Sequence, residues 1–460
     1  MRFLFLLLSL VLLALIAAAA VTGYRVHEET QNVPDTQKLA RTLETIRTST
    51  PNDRKVLRVL FYGQSITKSG WDVLVQEHWK KRYPNTTFLV ENRAIGGFPT
   101  QDLERTTEED LAAFYPDLIV FHDYGDHRAY ERIIRMFRSL TAADILVQTD
   151  HGDVMPDPVC RDGLALGRPS GCAGWFWVHQ RDWHDEMSYH KIPVLARRYD
   201  LAVEPQRQWW RDYLLRTHTP PKALLADIVH PNDAGKVLMA SFFNQYFDSF
   251  VNAWNGEHGT SVTTLLPRGV VAFEGTRLEM VTDRPLTVPP TVVVDGKSVS
   301  QLSGCWLATR ATQLDTGRDW PAVRRIDLIH DQKRDHTAEE WTATLTHFTA
   351  DDADFDFTLT GSVSGPQGSG RASRDFVANS GALKIAAIDW MPPRAFRETK
   401  VRLRDPFTVR WSVKPLCGQP PQISGNIYRY VVATGLPPGP HTALLGGDLA
   451  GHLLVYKPTL

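Results

Sequence analysis

The chain is poor in the features that settle a protein's class at a glance. Its 460 residues include only four cysteines and no Cys-x-x-Cys pair, so the thiolate spacing of a zinc knuckle is missing. Lys and Arg total 51 against 52 Asp and Glu, a net charge of −1, and they are scattered. No basic stripe is available to neutralise phosphates, which excludes nucleic acid as a partner. The Gly/Ser-rich stretch from Gly361 to Gly370 lacks the Gly-Lys-Ser/Thr of a phosphate loop and reads as a plain loop. Internal repeats are absent, and no motif calls for a cofactor. Gly, Pro, apolar and charged contents are ordinary, as expected of globular structure with little disorder.

One long apolar run exists, from Phe3 to about Val21. It follows Met1-Arg2 and ends in the small residues Ala17 to Ala20, a signal-peptide pattern that is also nearly long enough for a retained anchor. Residues 1–23 are therefore expected to be a signal peptide or membrane tether, and the rest to be extracytoplasmic. The cysteines suit that compartment: Cys160 and Cys172 lie close together, as a separate group from Cys305 and Cys417. An even count suggests disulfides, and proximity favours pairing within each group. Residues 24–53 are polar and turn-rich and read as a spacer.

Regular alternation begins near residue 54. Val56–Phe61, Thr87–Val90, Asp117–Phe121 and Ile145–Thr149 are short apolar runs of the kind buried on both faces of a parallel sheet. Helical periodicity intervenes over 71–79, 100–114 and 128–140, and returns over 185–199, 205–215 and after Pro231. The βαβα order predicts a doubly wound, three-layer α/β domain over residues 54–257. His151 to Asp182 interrupts it as a Trp-containing insertion. Beyond about His258 the helical period is lost, and β-branched runs alternate with turns such as Asp295-Gly296 and Gly425-Asn426. A β-sandwich over 258–460 is expected.

Three groups of residues carry chemistry. Gly63-Gln64-Ser65-Ile66-Thr67 follows the first strand, at the carboxyl end where parallel sheets bind ligands. A serine on a Gly-assisted turn there has an exposed hydroxyl and a free N–H, although serine is also a common turn former. Asp227-Ile228-Val229-His230-Pro231 places an acid and an imidazole three residues apart in a loop entering a helix. The carboxylate can orient the ring, whose other nitrogen can take a serine proton. Asn92-Arg93-Ala94-Ile95-Gly96-Gly97 follows the second strand, where backbone N–H groups can meet a developing oxyanion.

These blocks resemble the SGNH (GDSL-type) hydrolase superfamily over roughly residues 55–250. That family has a serine in Gly-Asp-Ser, a glycine in a second block, an asparagine in Gly-x-Asn-Asp, and a late Asp-x-x-His. Ser65, Asp227 and His230 match its triad, and Gly97 matches its second-block glycine. The resemblance implies a flavodoxin-like esterase domain acting on acyl esters through an acyl-enzyme, with no metal or cofactor. Together with export and an added β domain it points to an acylated, chiefly acetylated, glycan. Two departures stand out. The block-one Asp is Gln64, and the third block reads His122-Asp123-Tyr124-Gly125-Asp126-His127. Aligning Gly125 with the family glycine puts His127 at the asparagine position, so the expected oxyanion hole is Ser65, Gly97 and His127. His122, Asp123, Asp126 and His127 are too contiguous to converge on one metal ion. An O-acetyltransferase with the same triad, or a glycan-binding protein with a decayed hydrolase domain, are the rival readings.

Overall fold

The computed structural model describes residues 34–153, 184–288, 290–330 and 336–460. Lys55–Gly63 forms β1, whose side chains alternate between two cores: Leu57, Val59 and Phe61 enter one, Leu60 and Tyr62 the other. Leu118–His122, here β3, divides the same way, Leu118 and Val120 against Ile119 and Phe121. Burial on both faces is why these strands read as unbroken apolar runs. With Thr86–Asn92 (β2), Asp144–Gln148 (β4) and Ala202–Glu204 (β5) they make a five-stranded parallel sheet in the order β2-β1-β3-β4-β5. The order reverses between β1 and β3, which opens a crevice at their carboxyl ends. Three-residue β5 shows no period of its own in the sequence.

Helices cover both faces. Ala40–Thr48 (α1), Trp71–Arg82 (α2), Gln206–Thr217 (α6) and Asp233–Ala253 (α7) pack on one side. Thr100–Phe114 (α3), His127–Leu140 (α4) and Ile192–Tyr199 (α5) pack on the other. The first core is aromatic: Trp79 lies 4.9 Å from Phe88 and 5.0 Å from Phe247, ring to ring. Burying each such side chain contributes roughly 1.5–3 kcal/mol.

The stretch read as spacer is part of this body from Thr36 onward. A 3₁₀ turn, Thr36–Leu39, and α1 bury Leu39, Leu43 and Ile46, and the Thr42 N–H donates to Asp144 Oδ2 at 2.7 Å. Only one face of α1 is apolar, so its composition looked polar. Residues 1–33 lie outside the described residues, as does the expected tether within them. Among the described residues no helix is long and apolar enough to cross a membrane.

Beyond α7 the structure is almost all antiparallel β. A five-stranded sheet holding Arg277–Thr282, Ile427–Ala433 and His452–Tyr456 shares one core with a four-stranded sheet holding Val270–Glu274, Thr291–Val294 and Pro440–Gly446. This pair is a sandwich, and the Cys305–Cys417 disulfide sits in its core. Cys160 and Cys172 lie outside the described residues. Residues 306–415, between the sandwich strands in sequence, add a third five-stranded sheet, a three-stranded sheet and helix α8, Pro392–Thr399. The core of this added body is continuous with the core beneath α3 and α4.

The Gly361–Gly370 segment corrects the loop reading. It forms most of a hairpin, Asp356–Gly361 paired with Gly365–Arg371. Its glycines serve close packing as well as turning: a Cβ on Gly370 would lie 2.6 Å from Phe357 Cζ.

Candidate active site

The end of β1 lies against the end of β3, with Gly63 paired to His122. A Cβ on Gly63 would fall 1.9 Å from the His122 carbonyl oxygen, so only glycine fits. Thr67 Oγ1 donates to that same oxygen at 3.0 Å and closes the turn around Ser65. Asn92 ties in the next loop, its Nδ2 donating to the Thr67 carbonyl at 2.9 Å. Ile95 N–H donates to Gly63 O at 3.1 Å, which extends the β1–β2 ladder to the edge of Gly96 and Gly97. A Cβ on Gly96 would lie 3.9 Å from Ser65 Cβ, so the glycine pair borders the serine. Gly97 has φ +76°, a conformation that glycine alone adopts freely.

The Asp227–His230 loop reaches the same point from the far side. Leu225 bridges to Pro231, and Asn232 caps α7 by accepting from Gly235 N–H at 3.1 Å. His230 Nδ1 lies 2.8 Å from Asp227 Oδ2, and Nε2 lies 2.9 Å from Ser65 Oγ. A carboxylate only accepts, so Nδ1 carries the proton and Nε2 faces the serine hydroxyl as acceptor. Asp227 Oδ1 also accepts from the N–H groups of His230 and Val229, each at 2.7 Å. The His230 N–H bond chiefly, with the ring contact and the Val229 N–H, holds the Asp227 carboxyl down to about 2. It is therefore ionised wherever the ring would need a counter-charge.

The third block places its residues differently from one another. Gln64 Nε2 donates to Asp123 Oδ1 at 2.8 Å and to the Tyr124 carbonyl at 3.2 Å, fixing the loop after β3 against the serine turn. Burial pushes the Asp123 carboxyl well above its ordinary value, against the hydrogen bonds from the Tyr124 N–H and the Gln64 amide. The Tyr124 side chain lies near Ser65, and burial with the nearby Asp150 and Asp123 carboxyls pushes its phenol well above its ordinary value. His127 opens α4, just after the Asp126 N-cap. Its neighbouring charges are Lys191, Glu186 and Asp126, and burial chiefly lowers its ring.

Behind the site, half-buried Asp150 accepts from His122 Nε2 at 3.2 Å and faces His184 Nδ1 at 2.6 Å. His151, next in sequence, points its Nε2 at the Val229 carbonyl at 2.8 Å. Its only sequence signal was a position just past β4, on the same sheet edge as Ser65. Among the described residues no cluster of His, Cys, Asp or Glu has the arrangement of a metal site. Trp210 is fully buried with its ring 5.1 Å from that of His151, and Trp209 packs on Phe242. Both serve the core, while Trp175, Trp177 and Trp183 lie outside the described residues.

The C-terminal half reaches the site as well. Trp320 Nε1 donates to Gly96 O at 2.6 Å, Arg394 Nη2 donates to Gly97 O at 2.8 Å, and Asp319 pairs with Lys68. Sequence reading had no means of finding these contacts, which span more than 220 residues.

Solved structures that match part of the chain include acetyl xylan esterases. One, described as an acetyl xylan esterase, is 19% identical over 41% of this chain and 98% of its own, with a TM-score of 0.32. The acetylxylan esterase of Geobacillus stearothermophilus is 17% identical over 42% of this chain and 94% of its own, with a TM-score of 0.33. A variant of an acetyl-xylooligosaccharide esterase from the same genus is 18% identical over 41% and 93%, with a TM-score of 0.34. No family model and no curated protein matches the chain.

Proposed function

We propose that the protein is an exported serine esterase of the SGNH type that removes acyl groups, acetyl first among them, from carbohydrate. The observation that carries this is the unbroken chain from Ser65 Oγ through His230 to Asp227, at 2.9 and 2.8 Å, on the carboxyl edge of a parallel sheet. In this reading Ser65 Oγ attacks the ester carbonyl while His230 Nε2 takes its proton. The Ser65 and Gly97 N–H groups hold the oxyanion, and Asp227 stabilises the imidazolium. The intermediate expels the sugar hydroxyl, which takes the proton from His230. Water then attacks the acyl-enzyme with His230 again as base, and the acid departs.

Access supports a large substrate. The Asp227 and His230 side chains remain 55% and 42% exposed, so the acid and base stand at an open rim. An acyl group projecting from a polymer reaches such a site without the polymer being engulfed. Export is supported by the Phe3–Val21 run and by the disulfide. A third oxyanion donor is proposed from the loop after β3. The two candidates there are His127, aligned with the family asparagine, and Tyr124, whose side chain lies near Ser65.

The test is a panel of short- and long-chain aryl esters with acetylated oligosaccharides, run on the wild type and on Ser65→Ala. Acid release that depends on Ser65 supports the reading, and its absence from the whole panel removes it. Repeating the assay with a sugar acceptor in place of added ester-free buffer separates hydrolysis from acetyl transfer by its products.

A further inference from the structure

Gly96 and Gly97 share one peptide unit, and its N–H is the one assigned to the oxyanion. Flanked by two glycines, that unit has little of its own to stop it from rotating. Rotated, it would present the Gly96 carbonyl to the developing negative charge instead of the Gly97 N–H. A trans peptide is planar, with its C=O and N–H pointing in opposite directions. Whatever holds the Gly96 carbonyl therefore also aims the Gly97 N–H.

The group that holds it is Trp320 Nε1, at 2.6 Å, from a residue with no solvent exposure. We propose that Trp320, supplied by the C-terminal half, is a positioning residue for the oxyanion hole: its indole N–H fixes the direction of the Gly97 N–H. The inference rests on the esterase reading above and adds to it that the site is completed by the second half of the chain.

The support around Trp320 is rigid. Leu314 N–H donates to the Trp320 carbonyl at 2.9 Å, and Gln313 bridges to Pro321, so the residue closes a pinned loop. Its ring lies 6.0 Å from that of Phe98. A Cβ on Gly97 would come within 3.2 Å of Trp320 Cζ2, so the indole is seated directly on the glycine. The next peptide is held in the same manner, Arg394 Nη2 donating to Gly97 O at 2.8 Å. Arg394 is anchored by Asp102 at the start of α3, and its guanidinium lies 5.0 Å from the Trp320 ring centre. Two consecutive carbonyls are thus tied down, which fixes the direction of the intervening N–H. Donation to the carbonyl also polarises the peptide and strengthens that N–H as a donor.

Trp320→Phe keeps an aromatic ring and deletes the N–H. The expected result is a kcat roughly 10- to 100-fold lower with KM within about twofold, because the hole acts on the transition state. Affinity for a boronic acid that forms a tetrahedral adduct with the serine should fall in step. A role in packing alone would lower the melting temperature and leave both readings unchanged. Should Trp320→Phe fail to fold, benzothienylalanine at position 320 reproduces the indole shape without its N–H and asks the same question. A folded protein of either kind with wild-type kcat overturns the positioning role. If instead the wild type shows no ester cleavage that Ser65→Ala abolishes, the esterase reading itself fails, and the inference with it.

Discussion

His151 Nε2 lies 2.8 Å from the Val229 carbonyl oxygen and so joins the end of β4 to the loop that carries Asp227 and His230. A carbonyl only accepts, which puts a proton on Nε2. The ring's other nitrogen faces the half-buried Asp150 carboxylate at 3.2 Å. In the proposed mechanism this histidine would act as an orienting group behind His230. His151→Phe is expected to lower kcat roughly 10- to 100-fold, the scale set by small misplacements of a catalytic group. Steady-state kinetics beside a melting curve checks it; an unchanged kcat in a folded variant assigns His151 to packing.

Ser65→Ala should abolish turnover by a factor of roughly 10³ or more while leaving the fold intact. Circular dichroism together with ester hydrolysis decides this. Wild-type turnover from the folded variant would remove Ser65 from the mechanism.

The loop after β3 offers a paired test. If the Tyr124 hydroxyl stabilises the oxyanion, Tyr124→Phe lowers kcat roughly 100-fold, the usual scale for one donor, with less effect on KM. If His127 does so, His127→Ala shows that loss and His127→Asn recovers part of it. Measuring the three variants side by side identifies the donor, and three unaltered kcat values would leave the hole with two backbone donors.

Glu204, fully buried beside Gln148, has its carboxyl pushed up by burial to about 8 from an ordinary 4.5. Between these values the folded protein holds a proton that the unfolded chain has released. Stability therefore falls as pH rises through this window, by at most about 1.4 kcal/mol per pH unit, and levels off above it. Glu204→Gln removes this contribution. Denaturant titrations at pH 5 and pH 8 should show a smaller pH difference in the variant than in the wild type, and equal differences would refute the assignment.

The two halves should behave as one unit despite the linker-like stretch near His258. Arg58 on β1, 1% exposed, pairs with Asp117 at 2.9 Å and with Glu279 of the sandwich at 3.1 Å. Arg277, Arg429 and the Tyr456 hydroxyl complete the network around Glu279. Removing one member of a buried ionic set costs about 3–5 kcal/mol, and Arg58→Met is expected to fall in that range. After proteolytic nicking near residue 258, the fragments should still co-elute in size-exclusion chromatography; separation into two folded pieces would count against a shared core.

The sequence by itself determined the parallel α/β order and the set of residues around Ser65, because those signals are local. A strand buried on both faces is an unbroken apolar run, Ser65 follows the first strand, and Asp227 and His230 lie three residues apart on one loop. Helix α3, read as 100–114, ends where its apolar period ends. What lacked a local signal was settled only in three dimensions. The Asp227 side of the site depends on His151, and the Gly96–Gly97 peptide on Trp320 and Arg394, through single hydrogen bonds between distant segments that leave no periodicity behind. Helix α1 hid in a polar stretch because only one of its faces is buried. The Gly361–Gly370 hairpin hid because its glycines weaken strand propensity, although Gly370 is what lets Phe357 pack closely against the strand. Local sequence marked the residues that meet at Ser65, and long-range packing decided how firmly each is held.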